Sequence, residues 1–171
     1  MSLYRRLSLY FGARTEMILL RCALICIVLL SALAAGQAPQ GQRFVILPPQ
    51  SQATIPPVVL WDKGSYASWT PSQTDIEGLE SRLSQISRLK IRGWESTPIR
   101  IDHPEKYFRQ YVGVKHNGKR EIYINAFDDD PPPQDWRTRL YVVSDGDIGY
   151  WHAFYDPDTK IFSDLTINYR A

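Results

Sequence analysis

Cysteine is almost missing from this chain: of 171 residues only Cys22 and Cys26 are cysteine, and both lie inside one apolar run. The rest of the sequence therefore has no disulfide staple, no thiolate nucleophile and no cysteine metal ligand. Neither cysteine follows the small residues that an acylated lipoprotein cysteine needs. Histidine is as scarce, and His103, His116 and His152 stand at spacings that match no zinc pattern. There is no Gly-rich phosphate loop and no G-x-S-x-G nucleophile setting, so no cofactor is expected. The longest apolar run, Cys22 to Leu33, falls short of the ~20 residues that a bilayer-spanning helix needs, and Arg21 interrupts any longer count.

What is there begins with an address. Arg5, Arg6, Arg14 and Arg21 precede the apolar run, and Ala32 and Ala34 follow it in an A-x-A pattern. Residues 1–35 thus read as a secretory signal peptide cut after Ala34 or Ala35, with an uncleaved anchor as the alternative. The expected location is periplasmic or secreted. Four of the basic residues and one acid, Glu16, lie in this segment, so the remainder carries a charge near −1 rather than the +2 of the whole chain. No basic stripe remains to attract phosphates, which argues against a nucleic-acid partner. A share of 44% hydrophobic and 12% aromatic residues excludes a disordered chain, and a mean hydropathy of −0.29 excludes a polytopic membrane protein.

Residues 36–57 are rich in Gln, Ala and Pro and read as a tether, although the patch Phe44–Leu47 could add an edge strand to a sheet. Residues 58–171 read as a single α+β domain. Thr74 and Glu77 form a capping box that opens a helix, with Ile76, Leu79, Leu83, Ile86 and Leu89 as one apolar stripe and Gly93 as the stop. Everything after Thr97 reads as strands. Asn117-Gly118 suits a type I′ turn, which sets Phe108 opposite Phe127, Gln110 opposite Asn125 and Val112 opposite Tyr123. The run Asp128–Trp136, with three consecutive prolines, must be a loop. Two further hairpins are expected, one turning at Asp145-Gly146 and one at Asp156–Lys160, the last strand alternating with Phe162, Asp164, Thr166 and Asn168 on one side. One helix on a meander of about five antiparallel strands is the expected α+β fold, an order shared with cystatin-like and NTF2-like wraps.

The segments YFRQYVGV, NGKREIYINAF and YWHAFYDPDTKIFSDLTIN resemble those of a group of small secreted bacterial proteins of unknown function. That group shows an RQY-like strand, an asparagine-glycine hairpin, YINAF and a closing YD…T…F…N segment. The resemblance runs from Trp69 to the end and implies no activity, cofactor or substrate. At the turn near Asp145, Asp-Gly-Asp stands where the group often has Asp-Gly-Gly.

His152 is the leading candidate for chemistry, because imidazole titrates near neutrality and this one sits in an aromatic strand. If the two turns set the registers, Arg139, His152 and Asp164 form a row across three strands, beside Tyr141, Tyr150, Phe154 and Phe162. Such a row is either a polar centre for a sugar or anionic ligand, an acid–base site, or a plain cross-strand ion pair. Asp128, Asp129, Asp130 and Asp135 offer oxygens that a calcium ion could use, though at no known spacing. Among the tryptophans, Trp151 belongs inside, whereas Trp61, Trp69 and Trp136 lie in loops and could stack on a sugar. The favoured function is a cell-envelope binding or accessory protein whose partner is an envelope protein or a glycan. A small hydrolase-like enzyme using His152 and a structural envelope component are the alternatives. A deep concavity around His152 would favour the enzyme, a flat aromatic surface the binder, and an apolar patch at an open strand edge a protein partner.

Overall fold

The computed structural model describes residues 41–56 and 66–168. The expected signal peptide and Trp61 lie outside the described residues. Gly41–Ala171 forms one compact unit built on a six-stranded, mostly antiparallel sheet with few helices. Its strands are β1 (Phe44–Ile46), β2 (Tyr66–Ser68), β3 (Phe108–His116), β4 (Lys119–Phe127), β5 (Asp147–Asp156) and β6 (Ile161–Asn168), and one α-helix, α1, spans Gln73–Glu80. The sheet order is β1-β3-β4-β5-β6, and β2 shares the outer edge of β3 with β1.

The β3–β4 hairpin carries the register that its turn dictates. Asn117 and Gly118 take φ of 50° and 79°, the left-handed pair of a type I′ turn, and Phe108, Gln110 and Val112 face Phe127, Asn125 and Tyr123. Because strand side chains alternate, one face of this hairpin presents Tyr111, Ile122, Ile124 and Ala126, and that face lies under α1. Trp151, Ala153, Tyr155 and Leu165 extend the same core onto β5 and β6.

The helix starts two residues before the expected cap. Ser72, not Thr74, is the N-cap: its hydroxyl accepts from the Asp75 amide at 3.2 Å, and the Asp75 carboxylate takes the Ser72 amide at 2.9 Å. Ser72–Asp75 and Thr74–Glu77 both have capping-box spacing, and the first follows Pro71, beyond which extended backbone gives way to helix. The helix also ends sooner than its apolar stripe suggests. The Gly78 carbonyl accepts from the Ser81 hydroxyl and from an Arg82 guanidinium, while the Arg82 amide turns to the Leu79 carbonyl at 3.0 Å. That tightens the chain into a 3₁₀ turn over Leu83–Arg88. The stripe survives because steps of three residues suit both helices. Ile76, Leu79, Leu83 and Ile86 are all buried, each contributing roughly 1.5–3 kcal/mol.

Residues 41–56 are not a tether. β1 pairs in parallel with Arg109–Tyr111 of β3, the Leu47 amide donates to the Tyr111 carbonyl at 2.9 Å, and Leu47 and Ile55 are buried on the face away from α1. Pro48 and Pro49 stop the strand without undocking it, since the apolar residues on either side find a core. Among the described residues no helix is long and apolar enough to cross a membrane.

Two strand expectations fail. Residues 139–144 form a loop, and β5 pairs directly with β4, with Asn125 opposite His152 and Tyr123 opposite Phe154. On β6 the alternation breaks at Asp164, whose φ of 51° makes a bulge between the pairs His152–Thr166 and Phe154–Ser163. Phe162 therefore faces the helix-side core together with Leu165 and Ile167, while Ile161 is exposed.

Candidate functional site

The face away from α1 carries a cavity of about 440 Å³. Its floor comes from strand positions of one parity: Tyr123 and Asn125 on β4, His152 and Phe154 on β5, Thr166 and Asn168 on β6. Val142, Val143 and Ser144 form one wall, and Pro56, Arg92 and Asp164 also contribute. The volume falls in the range of small-molecule sites, which are mostly apolar with a few placed polar groups.

The wall exists because polar side chains hold the 136–144 loop against the sheet in place of a strand ladder. Gln110 Nε2 donates to the carbonyls of Trp136 and Arg139 at 2.5 and 2.6 Å, and Gln110 Oε1 accepts from the Tyr141 amide at 2.8 Å. Asn125 Nδ2 donates to Gln110 Oε1 and to the Tyr141 carbonyl at 2.9 and 2.7 Å. Asn168 Nδ2 donates to the Val143 carbonyl at 2.8 Å. Gln110 and Asn125 are buried, so each satisfied amide also removes a desolvation cost.

His152 is 8% exposed and lies in the pocket floor, its ring 5.9 Å from that of Tyr123. Burial lowers its pKa to about 4, and a hydrogen bond with the Asn168 side chain only partly opposes this. The imidazole is therefore neutral at physiological pH. Tyr123 is 2% exposed, and burial pushes its phenol pKa up, so it keeps its proton. At the mouth, Arg92 Nη1 stands 3.9 Å from Asp164 Oδ1, both side chains being substantially exposed.

Of the expected row, His152 and Asp164 share this pocket, as does Phe154 from the residues beside it, but Arg139 does not. Arg139 lies in the loop, 80% exposed, and pairs with Asp135 Oδ2 at 3.2 Å. The neighbours of His152 are Asn125 and Thr166 because neither presumed register holds: β5 has β4 rather than 139–144 beside it, and the bulge shifts β6. The surface ion pair is likewise overturned, since His152 is buried. Phe162 is on the opposite face of the sheet, 4.8 Å from Tyr155. Tyr141 and Tyr150 pack on one another at 6.2 Å, and the Tyr150 hydroxyl donates to Asp129 Oδ1 at 2.5 Å, apart from the lining residues. Trp136 is 5% exposed and packs edge-on against Phe108 and Phe127, which removes it as a stacking surface.

Trp69 is half-buried, with its indole N–H donating to the Val114 and Glu121 carbonyls. Asp128, Asp129, Asp130 and Asp135 are not gathered: Asp129 serves Tyr150 and Asp135 serves Arg139, and no metal-holding group of three acidic, histidine or cysteine side chains occurs among the described residues. Sequence reasoning missed Tyr123, Asn125 and Asn168 as site residues. The signal was present in Asn125, a polar residue in the middle of the otherwise apolar run IYINAF.

Comparison of the chain with protein-family models, curated proteins and solved structures gives no match.

Proposed function

We propose that the protein is an exported binding protein of the cell envelope that holds a small molecule in the pocket around His152. Membership in the group of small secreted bacterial proteins, and a cystatin-like or NTF2-like wrap, belong to the same reading. The observation that carries it is a preformed cavity of about 440 Å³ whose polar floor is positioned by satisfied buried amides. Side chains locked by their own hydrogen bonds lose little freedom on binding, which is what a recognition site needs.

The concavity around His152 is also the feature that an enzyme would have, so catalysis stands as the second reading. The chemistry of the floor favours binding. A general base works best with a pKa near the operating pH, whereas His152 sits near 4 and is hydrogen-bonded to an amide rather than to an orienting carboxylate. The hydroxyl of Thr166 donates to its neighbour's carbonyl, that of Asp164, at 3.2 Å, and so is engaged locally rather than paired with a base.

Purified protein equilibrated with a small-molecule extract, followed by mass spectrometry of what it retains, tests the proposal against Thr166→Phe, which fills the pocket. Compounds held by the wild type and lost from the variant support binding. Identical retention by both contradicts it, and depletion of a compound with appearance of its product selects the enzyme.

A further inference from the structure

The pocket contains a hydroxyl that no described residue engages. Tyr123 lines the cavity and is 2% exposed, yet its hydroxyl has no hydrogen-bond partner among the described residues, and its side-chain neighbours include the rings of His152 and Phe154 at 5.9 and 5.6 Å. The hydroxyl is not among the fully buried polar atoms left without a partner, so cavity water reaches it, and an acceptor on a ligand can take that water's place. The ring belongs to the buried cluster that holds Val112 and Phe154.

The charges point the same way. The formally charged lining residues, Arg92 and Asp164, face each other at the mouth, and the buried part of the lining is neutral: Tyr123, Asn125, His152 and Phe154. A carboxylate, phosphate or ammonium passing inward of Arg92 and Asp164 would shed its water against neutral groups among the described residues, which is a costly form of burial. An uncharged molecule faces no such barrier.

Resting on the reading of this cavity as a ligand site, we propose that it selects an uncharged ring-sized ligand and that the Tyr123 hydroxyl donates the recognising hydrogen bond to an oxygen acceptor on it. Tyr123 is thereby the specificity-determining residue, and Phe154 and Val143 supply the apolar sides. Neutral sugars and neutral carbonyl heterocycles share this chemistry.

Benzamide, benzoate and benzamidine have one shape and three charges, which makes them the probes. Titrated into the full-length protein and followed by heteronuclear NMR, benzamide is expected to shift the signals of Tyr123, Asn125 and His152. Benzoate and benzamidine should bind at least tenfold more weakly. Tyr123→Phe should weaken benzamide about fivefold or more with no loss of thermal stability. Thiobenzamide, whose sulfur accepts poorly, should show the same loss on the wild-type protein and so needs no variant. Equal binding of a charged probe, or benzamide binding indifferent to both the hydroxyl and the sulfur exchange, overturns this inference and leaves the pocket reading intact. Silence of the pocket signals toward all three probes overturns the pocket reading and the inference with it.

Discussion

Asn125 of β4 and His152 of β5 stand directly opposite each other, and both line the cavity. One is a scaffold residue and the other a recognition residue. Asn125 spends both amide protons on Gln110 and on the Tyr141 carbonyl, fixing the loop, while His152 presents a neutral ring to the pocket.

The buried imidazole makes stability depend on pH. The unfolded chain binds a proton at His152 near pH 6.5, whereas the folded chain resists it until about 4, so acid favours unfolding between those values. The contribution is complete above pH 6.5 and is lost as pH falls to 4, at up to about 1.4 kcal/mol per pH unit. Denaturant unfolding at pH 7, 6, 5 and 4 should show the decline, and His152→Gln should flatten the part that His152 supplies. An unchanged pH profile in that variant would show that the ring is not buried neutral.

Gln110→Ala should free the 136–144 loop. The change leaves the Tyr141 amide and the carbonyls of Trp136 and Arg139 without their partner, a loss of about 1–3 kcal/mol. Hydrogen exchange at Tyr141 should accelerate far more than exchange in β3 and β4, because the loop alone depends on the side chain.

Gly113 tests the seating of the segment before α1. A Cβ there would lie 2.2 Å from the Trp69 carbonyl oxygen and 2.9 Å from Pro71 Cδ, so Gly113→Ala must push β2 and its link to the helix off the sheet. The expected cost is about 1–3 kcal/mol, read as a lower melting temperature, with the β3–β4 pairing kept.

Glu80 ties α1 to β3. Arg109 is buried with Nη2 at 3.2 Å from Glu80 Oε2, and the Tyr111 hydroxyl donates to Glu80 Oε1. Glu80→Ala should destabilise by on the order of 3 kcal/mol, because a buried guanidinium loses its counter-charge. Glu80→Gln keeps one acceptor oxygen, which the Tyr111 hydroxyl and Arg109 Nε can share as they share Oε1, but sets its NH2 against Arg109 Nη2, so it should recover part of the loss.

Where a local signal decides structure, the chain could be read directly. Asn117-Gly118 admits one tight turn, and every β3–β4 pair follows from it, including the adjacency of Gln110 and Asn125. The apolar stripe from Ile76 to Ile86 placed the helix side of the core. Legibility ended where side chains far apart in sequence replace backbone partners. Residues 139–144 have a strand's composition, but Gln110, Asn125 and Asn168 hold their backbone groups as a loop. The flip at Asp164 depends on a left-handed backbone that an ordinary alternation count does not contain. His152 therefore stood out from sequence while its neighbours did not, since they rest on a bulge and on a strand pairing that skips a segment.

Crystals of the protein soaked with a diverse set of small uncharged fragments test the central claim most directly. The account predicts recurrent density in the space bounded by Tyr123, Asn125, His152 and Phe154, with an oxygen of the fragment within hydrogen-bond reach of the Tyr123 hydroxyl. Fragments that settle elsewhere on the surface and leave that space to solvent, in a lattice that keeps its mouth open, would contradict it.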